Sequence, residues 1–231
     1  MALLTPGRRR GMEILDDPAV PADDRVRSIS DVVRSNAWLG GARALLSELA
    51  REMPPGRPLT LLDVGTGLAD LPRQARDLAA RRGGVLTTVG CDAAPALLAA
   101  ARASLTHAVC GDALALPFRT GSVDLVVCSQ LLHHFEHDDA VHLVREMHRV
   151  ARRAVIVSDL RRSWIAMAGF WLVSFPLRFH PITRHDGVLS VLRGFTGAEL
   201  AEIVGAATGQ TPRVARHAGF RLTAVAAARA S

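Results

Sequence analysis

The stretch Leu61-Leu62-Asp63-Val64-Gly65-Thr66-Gly67-Leu68-Ala69-Asp70 constrains this chain more than any other. A short apolar run ends in two closely spaced glycines, and a helical pattern over 69–81 follows until Gly83-Gly84 stops it. Glycine takes the left-handed backbone that a tight turn needs and lets another molecule approach the main chain. A helix that opens at such a turn leaves its first N–H groups without intrahelical partners. Strand, glycine turn and helix in that order predict one unit of an α/β fold with a ligand at the turn.

The alternation continues downstream. Residues 85–91, 106–110, 123–128 and 154–158 read as further strands, with helices over 94–104 and 138–150 between them. Continuous apolar strands alternating with helices predict a parallel sheet covered on both faces. Upstream, residues 1–58 read as a helical cap, closed by Met53-Pro54-Pro55-Gly56-Arg57-Pro58, and 59–231 as the main domain. In the tail, Trp164 to Phe175 predicts an apolar, lid-like helix within about 160–176. Thr196 followed by Glu199 predicts a capping box, and 213–217 with 220–227 a terminal hairpin.

Composition excludes several classes. The net charge is +6, but all 28 basic residues are Arg, scattered with no run of five, so no nucleic-acid partner is expected. The three cysteines, Cys91, Cys110 and Cys128, form no CxxC pair, which argues against a disulfide framework or structural zinc. Arg8-Arg9-Arg10 is not followed by an apolar signal region, and the longest apolar stretch is shorter than the roughly 20 residues that span a bilayer. The expectation is a cytoplasmic protein that is not an integral membrane protein, acts on a small molecule and holds no metal. A homodimer is left open.

A GxG turn can serve NAD, FAD, a phosphate or S-adenosylmethionine (SAM). A dinucleotide fingerprint wants a small residue where Asp70 stands, and a carboxylate there repels pyrophosphate at the helix end. SAM carries no phosphate; it carries an ammonium, a carboxylate and a sulfonium, so acids near the turn are useful. Asp63 suits the ammonium side, Asp92 the ribose hydroxyls and Asp112 the adenine amino group, with Ala113 or Leu114 against the ring. Asp92 alone does not separate SAM from NAD. Three acids at three successive strand ends suit one nucleoside-like ligand.

At this point the chain resembles the class I SAM-dependent methyltransferases, in particular the group similar to menaquinone and ubiquinone biosynthesis enzymes. The resemblance rests on DVGTGLAD at 63–70, Cys91-Asp92, GDALALPFRTGSVDLV at 111–126 and SQLLHHF at 129–135. It implies a Rossmann-like, seven-stranded, mostly parallel sheet with an antiparallel C-terminal strand. It implies SAM as cofactor, held by Asp63, Gly65, Thr66, Gly67, Asp92, Ala93, Asp112, Ala113 and Ser129. Ala69 stands where the family often has a third glycine, so a slightly altered turn with retained binding is expected.

Methyl transfer mainly requires aligned partners and excluded water. A base is needed only where the acceptor keeps its proton until attack. His133, His134 and His185 are the candidate catalytic residues; for each, plain packing is the competing reading. Arg161, Arg184 and Trp38 are the candidate acceptor contacts. The expected reaction is O- or C-methylation of a phenolic, quinone-like or polyketide-derived acceptor in small-molecule biosynthesis or secondary metabolism. An RNA or protein methyltransferase and an NAD(P)-dependent oxidoreductase are the alternatives. Ser129-Gln130-Leu131-Leu132 lacks the Asn/Asp-Pro-Pro-aromatic motif of amino-directed nucleic-acid enzymes.

Overall fold

The computed structural model describes residues 5–17, 19–38 and 40–228. Strands β1 (Leu59–Val64), β2 (Leu86–Asp92), β3 (His107–Cys110), β4 (Val123–Ser129), β5 (Ala151–Leu160), β6 (Arg213–His217) and β7 (Arg221–Ala227) form one sheet. Their order is β3-β2-β1-β4-β5-β7-β6. The first five pair in parallel, while β7 runs antiparallel to β5 and β6 antiparallel to β7. The Rossmann-like sheet and its antiparallel end match the expectation from sequence. Chain order reverses at β1, between β2 and β4, and ligands of open α/β sheets bind outside the carboxyl ends at such a point.

Both faces are covered, as the continuous apolar strands require. Leu62 and Val64 of β1 face α5 (His137–Val150) and α8 (Gly197–Thr208), which contribute Leu143, Met147, Leu200 and Ile203 to one buried cluster. Leu59 and Leu61 face the opposite way, onto α2 (Gly41–Glu52) and α3 (Asp70–Arg81), with Leu45, Leu49 and Ala75 in that cluster. Each such leucine contributes about 2 kcal/mol by leaving water. The boundary expected at residue 58 therefore falls inside the packed unit. Helix α2 is a layer of the main domain, and only the segment through α1 (Ala22–Trp38) lies over the sheet's end as a cap. Helix α4 (Pro95–Ala101) is shorter than its pattern and finishes as a 3-10 turn over Arg102–Ser104.

Between β5 and α8 the chain inserts two helices, α6 (Trp164–Ser174) and α7 (Pro181–Arg193). Helix α7 is absent from the sequence reading. Its buried side chains include Thr183, Asp186 and Arg193, so apolar periodicity does not mark it. In α6 only Ala166 and Ser174 are buried; Trp171 and Leu172 stand 50% and 61% exposed. The helix is thus not a core element. It crosses α7 where Gly187 makes room for the Phe170 ring, which a Cβ there would strike. Among the described residues no helix is long and apolar enough to cross a membrane.

The segment before α1 is strapped down by the buried Arg162, by the half-buried Arg8 and by one aspartate. Arg162 donates from Nε to the Pro6 carbonyl (2.7 Å), and Arg8 donates to those of Arg193 (2.9 Å) and Phe135 (3.0 Å). Asp186 accepts from the backbone N–H groups of Ile14 and Leu15, both at 2.9 Å. The remaining fork of Arg162 binds Glu199, whose carboxylate closes the expected capping box with Thr196. Thr196→Ala removes the side-chain acceptor for the Glu199 N–H and is expected to cost about 1 kcal/mol. For a chain of this size that lowers the Tm by roughly 2–4 °C, readable by calorimetry.

Candidate active site

Strand β1 delivers Asp63 and Val64 to the sheet's carboxyl end, and the chain then turns on Gly65 (φ 70°), Gly67 (φ 53°) and Ala69 (φ 55°). All three are left-handed. A Cβ on Gly65 would also meet the Leu131 side chain at 2.9 Å, so glycine is required there. Ala69 holds the left-handed conformation as the residue capping α3, at a cost of about 1 kcal/mol relative to glycine. The altered turn expected from sequence is thus a strained but unbroken one. Asp92 ties this turn to β2: its Oδ2 accepts from Gly67 N and its Oδ1 from Ala94 N, each at 2.9 Å. Gly90, opposite Asp63 in the sheet, leaves space that a Cβ would take from Thr66 and Leu105.

Asp63 is the anomalous group. It is 3% exposed, its Oδ2 accepts from the Thr66 hydroxyl (2.9 Å), and its Oδ1 has no hydrogen-bond partner. Burial, offset only in part by Thr66 and reinforced by the charges of Asp70 and Asp92, pushes its pKa up to about 8. A buried carboxyl oxygen without a donor, inside a ring of acids, is costly unless a cation faces it. The donor set therefore fits a ligand with an ammonium group and rejects a pyrophosphate. Asp63, Gly65, Thr66, Gly67 and Ser129 line a small cavity of about 130 Å³.

Beside it lies a cavity of about 870 Å³, with Ile29, Val32 and Gln130 shared between the two. Its walls are largely apolar and come from α1, α4, α6 and α7, including Leu97, Ile165, Phe170 and Val191. At one side stand Asp92 and Ala93; at another, Glu13, His133 and His134. Gln130, just past β4, is itself left-handed (φ 53°) and accepts from Arg221 at 2.7 Å.

His133 sits on the 3-10 turn after β4 and is 2% exposed. Its Nδ1 donates to Asp159 Oδ1 at 2.7 Å, and its backbone N–H donates to Asp159 Oδ2 at 3.1 Å. Its Nε2 is 3.6 Å from Glu13 Oε1, beyond hydrogen-bond reach. Burial disfavours the charged ring, but Asp159 and then Glu13 outweigh it and raise the pKa to about 9. Burial likewise works to raise the Glu13 carboxyl, yet the two histidines and Ser190 hold it below its ordinary value. His134 stacks at a tilt on His133, with ring centroids 4.4 Å apart, and its Nε2 is 3.8 Å from Glu13 Oε2.

Residues 62–157 match the family model described as a methyltransferase domain. These residues form a methyltransferase domain. No curated protein sequence matches it. The methyltransferase is similar in fold to a SAM-dependent methyltransferase of Aquifex aeolicus (16% identity, TM-score 0.59, covering 84% of this chain and 93% of that one). It is similar as well to the magnesium protoporphyrin IX methyltransferase of Synechocystis solved with bound SAM (14%, TM-score 0.54, 94% and 88%). A Haloferax volcanii protein in complex with the Trm112 methyltransferase activator shares 17% identity at TM-score 0.58, over 89% and 97% of the two chains.

Not every residue singled out from sequence lies where expected. Asp112 is exposed, its Oδ1 accepting from Leu114 N (2.9 Å), and with Ala113 it lines neither cavity. It remains one residue from Gly111, whose N–H reaches the Asp92 carbonyl at 3.1 Å. Arg161 lines the large cavity and stacks on Phe220. His185 and Arg184 do not line it: both open onto a separate groove with Arg9 and Trp171 on the outer side of α7. Asp186, not His185, lines the large cavity, and the exposed His185 ring meets Asp186 Oδ1 through its Nδ1 at 2.8 Å. Trp38, a candidate acceptor contact from sequence, is 76% exposed and lines neither cavity. Glu13 is a residue that sequence reasoning missed. Its contacts with His133 and Ser190 span more than a hundred residues, so they leave no local mark.

Proposed function

We propose that this methyltransferase acts on a small, mostly apolar acceptor of phenolic, quinone-like or polyketide-derived type, held in the 870 Å³ cavity. The observation that carries this reading is the cavity itself. It has the volume of a small-molecule site, apolar walls and a few convergent polar groups at one side. The insert α6–α7 and the strapped N-terminal segment wall it on the side away from the sheet. That arrangement suits a compact acceptor better than a polymer.

The donor supplies a methyl group on positively charged sulfur. In this reading Asp63 faces its ammonium, Gly65 and Gly67 let the backbone approach it, and Asp92 keeps a second lone pair on each oxygen for hydroxyl groups. Asp112 stands at the next strand end, as the adenine contact would require. His133, His134 and Glu13 face the acceptor's reacting atom, and Arg161 offers a cation to a carboxylate or phenolate. The apolar wall excludes water from the transfer. Residues 5–38 act as the cap that completes this wall.

The test is methyl transfer from SAM to a panel of alkylated phenols and hydroquinones, beside total RNA and a protein extract, read by mass spectrometry. The expected outcome is a mass gain of one methyl on an apolar hydroxyaromatic and none on the polymers. Salt-sensitive methylation of RNA would replace this reading with a macromolecular one.

A further inference from the structure

We propose that Glu13, His133 and His134 form a binding site for one divalent transition-metal ion of the zinc type, with its open position facing the acceptor cavity. One ligand atom from each residue lies within 4.8 Å of the other two. The two measured separations, 3.6 Å from His133 Nε2 to Glu13 Oε1 and 3.8 Å from His134 Nε2 to Glu13 Oε2, are too long for hydrogen bonds. They approach the roughly 3.3–3.4 Å between neighbouring ligands on a tetrahedral ion with bonds of about 2.0–2.1 Å. The His133 Nε2 is the second, independent observation. Its side chain is 3% exposed, the nitrogen has no hydrogen-bond partner, and it points at the other two groups.

The surroundings hold the three groups in place, with the Arg193 guanidinium also 3.9 Å from Glu13 Oε1. Asp159 accepts the hydrogen bond of His133 Nδ1–H at 2.7 Å, which leaves Nε2 as the ligating atom and fixes the ring. Carboxylate–histidine–metal triads are built in this way. Arg193 donates to the backbone carbonyls of His133 (3.0 Å) and His134 (2.7 Å), and Ser190 donates to Glu13 Oε1 at 2.6 Å, so each candidate ligand is held from behind. Two buried carboxylates, Glu13 and Asp159, balance the charge of a divalent ion. Two histidines and one glutamate match the ligand class of catalytic zinc sites, which keep a fourth position for water or substrate. All three residues line the large cavity. If the acceptor is the hydroxyaromatic proposed above, on which this part of the inference rests, its oxygen would enter that position and release its proton to water. The sequence-based expectation of no metal is revised accordingly.

The test uses the full-length, tag-free protein, stripped with a chelator and titrated with Zn²⁺ by calorimetry and with Co²⁺ by visible absorption. One ion per chain is expected, with the intense ligand-field bands of a four- or five-coordinate cobalt centre. His134→Ala, at the part-exposed cavity wall, should weaken binding by at least ~100-fold. Asp159→Asn should weaken it by about 10–100-fold, the usual effect of a supporting carboxylate. Glu13→Gln provides a second ligand variant should His134→Ala lose its native circular dichroism. No saturable site in the wild type, or equal affinity in the wild type and the folded ligand variants, overturns the proposal. Neither result bears on which acceptor is methylated, because no acceptor is present in the titration.

Discussion

Replacing Asp63 by Asn should raise the melting temperature of the ligand-free protein at pH 7.5 and abolish its stabilisation by S-adenosylhomocysteine. In the wild type, burial raises the Asp63 pKa from 3.8 to about 8. Between these values the folded protein keeps a proton that the unfolded chain has released. The contribution of this group to stability is therefore complete below pH 4 and declines as pH rises toward 8. Asn reproduces the shape of the protonated acid but has no ionised form in the unfolded chain. The variant should lose that pH slope and gain stability at its upper end. The same substitution removes the charge that a buried ammonium would meet at the unpartnered Oδ1. Losing a charged hydrogen bond and its ion pair costs about 3 kcal/mol, or roughly 100-fold in affinity. In the wild type, adenosylhomocysteine should bind with release of a proton below pH 8, visible as a buffer-dependent binding enthalpy. A variant that keeps both its thermal shift and its pH slope would remove Asp63 from the donor site.

Asp186→Asn should leave adenosylhomocysteine binding intact and lower kcat/KM for the acceptor by roughly 100-fold, the order that a misplacement of about 1 Å can cost. The two carboxylate oxygens hold the N–H groups of Ile14 and Leu15, immediately after Glu13. An amide in that place presents its own N–H₂ to one of them. The segment then loses a charge-assisted hydrogen bond and a buried donor loses its acceptor, together about 2–3 kcal/mol. Limited proteolysis between residues 5 and 20 should accelerate in parallel. Unchanged proteolysis with unchanged kinetics would show that Asp186 does not position Glu13.

These two residues illustrate what was readable from the chain alone. Asp63 is legible because its role is local: strand end, glycine turn and helix start follow one another within ten residues. The sheet is legible for the same reason, since the continuous apolar runs of the central strands and the flanking helical patterns are short-range. Asp186 was overlooked in favour of its neighbour His185, because a histidine suggests chemistry and a helical aspartate does not. Burial decided the matter, and burial there depends on the Ile14–Asp16 turn, some 170 residues earlier. The cap boundary was misplaced because prolines at 54, 55 and 58 mark a break in backbone regularity. They carry no information on which side of that break Leu45 and Leu49 pack.

The insert between β5 and α8 has a wider consequence. Residues 161–195 roof the acceptor cavity, while the turn over 63–70 belongs to the sheet's other half, and the two cavities share only Ile29, Val32 and Gln130. Natural drift or laboratory selection confined to that excursion of the chain can change which molecules are taken up while the donor-binding apparatus stays as it is. The fold thereby separates the trait on which selection for new substrates acts from the trait that every variant must keep.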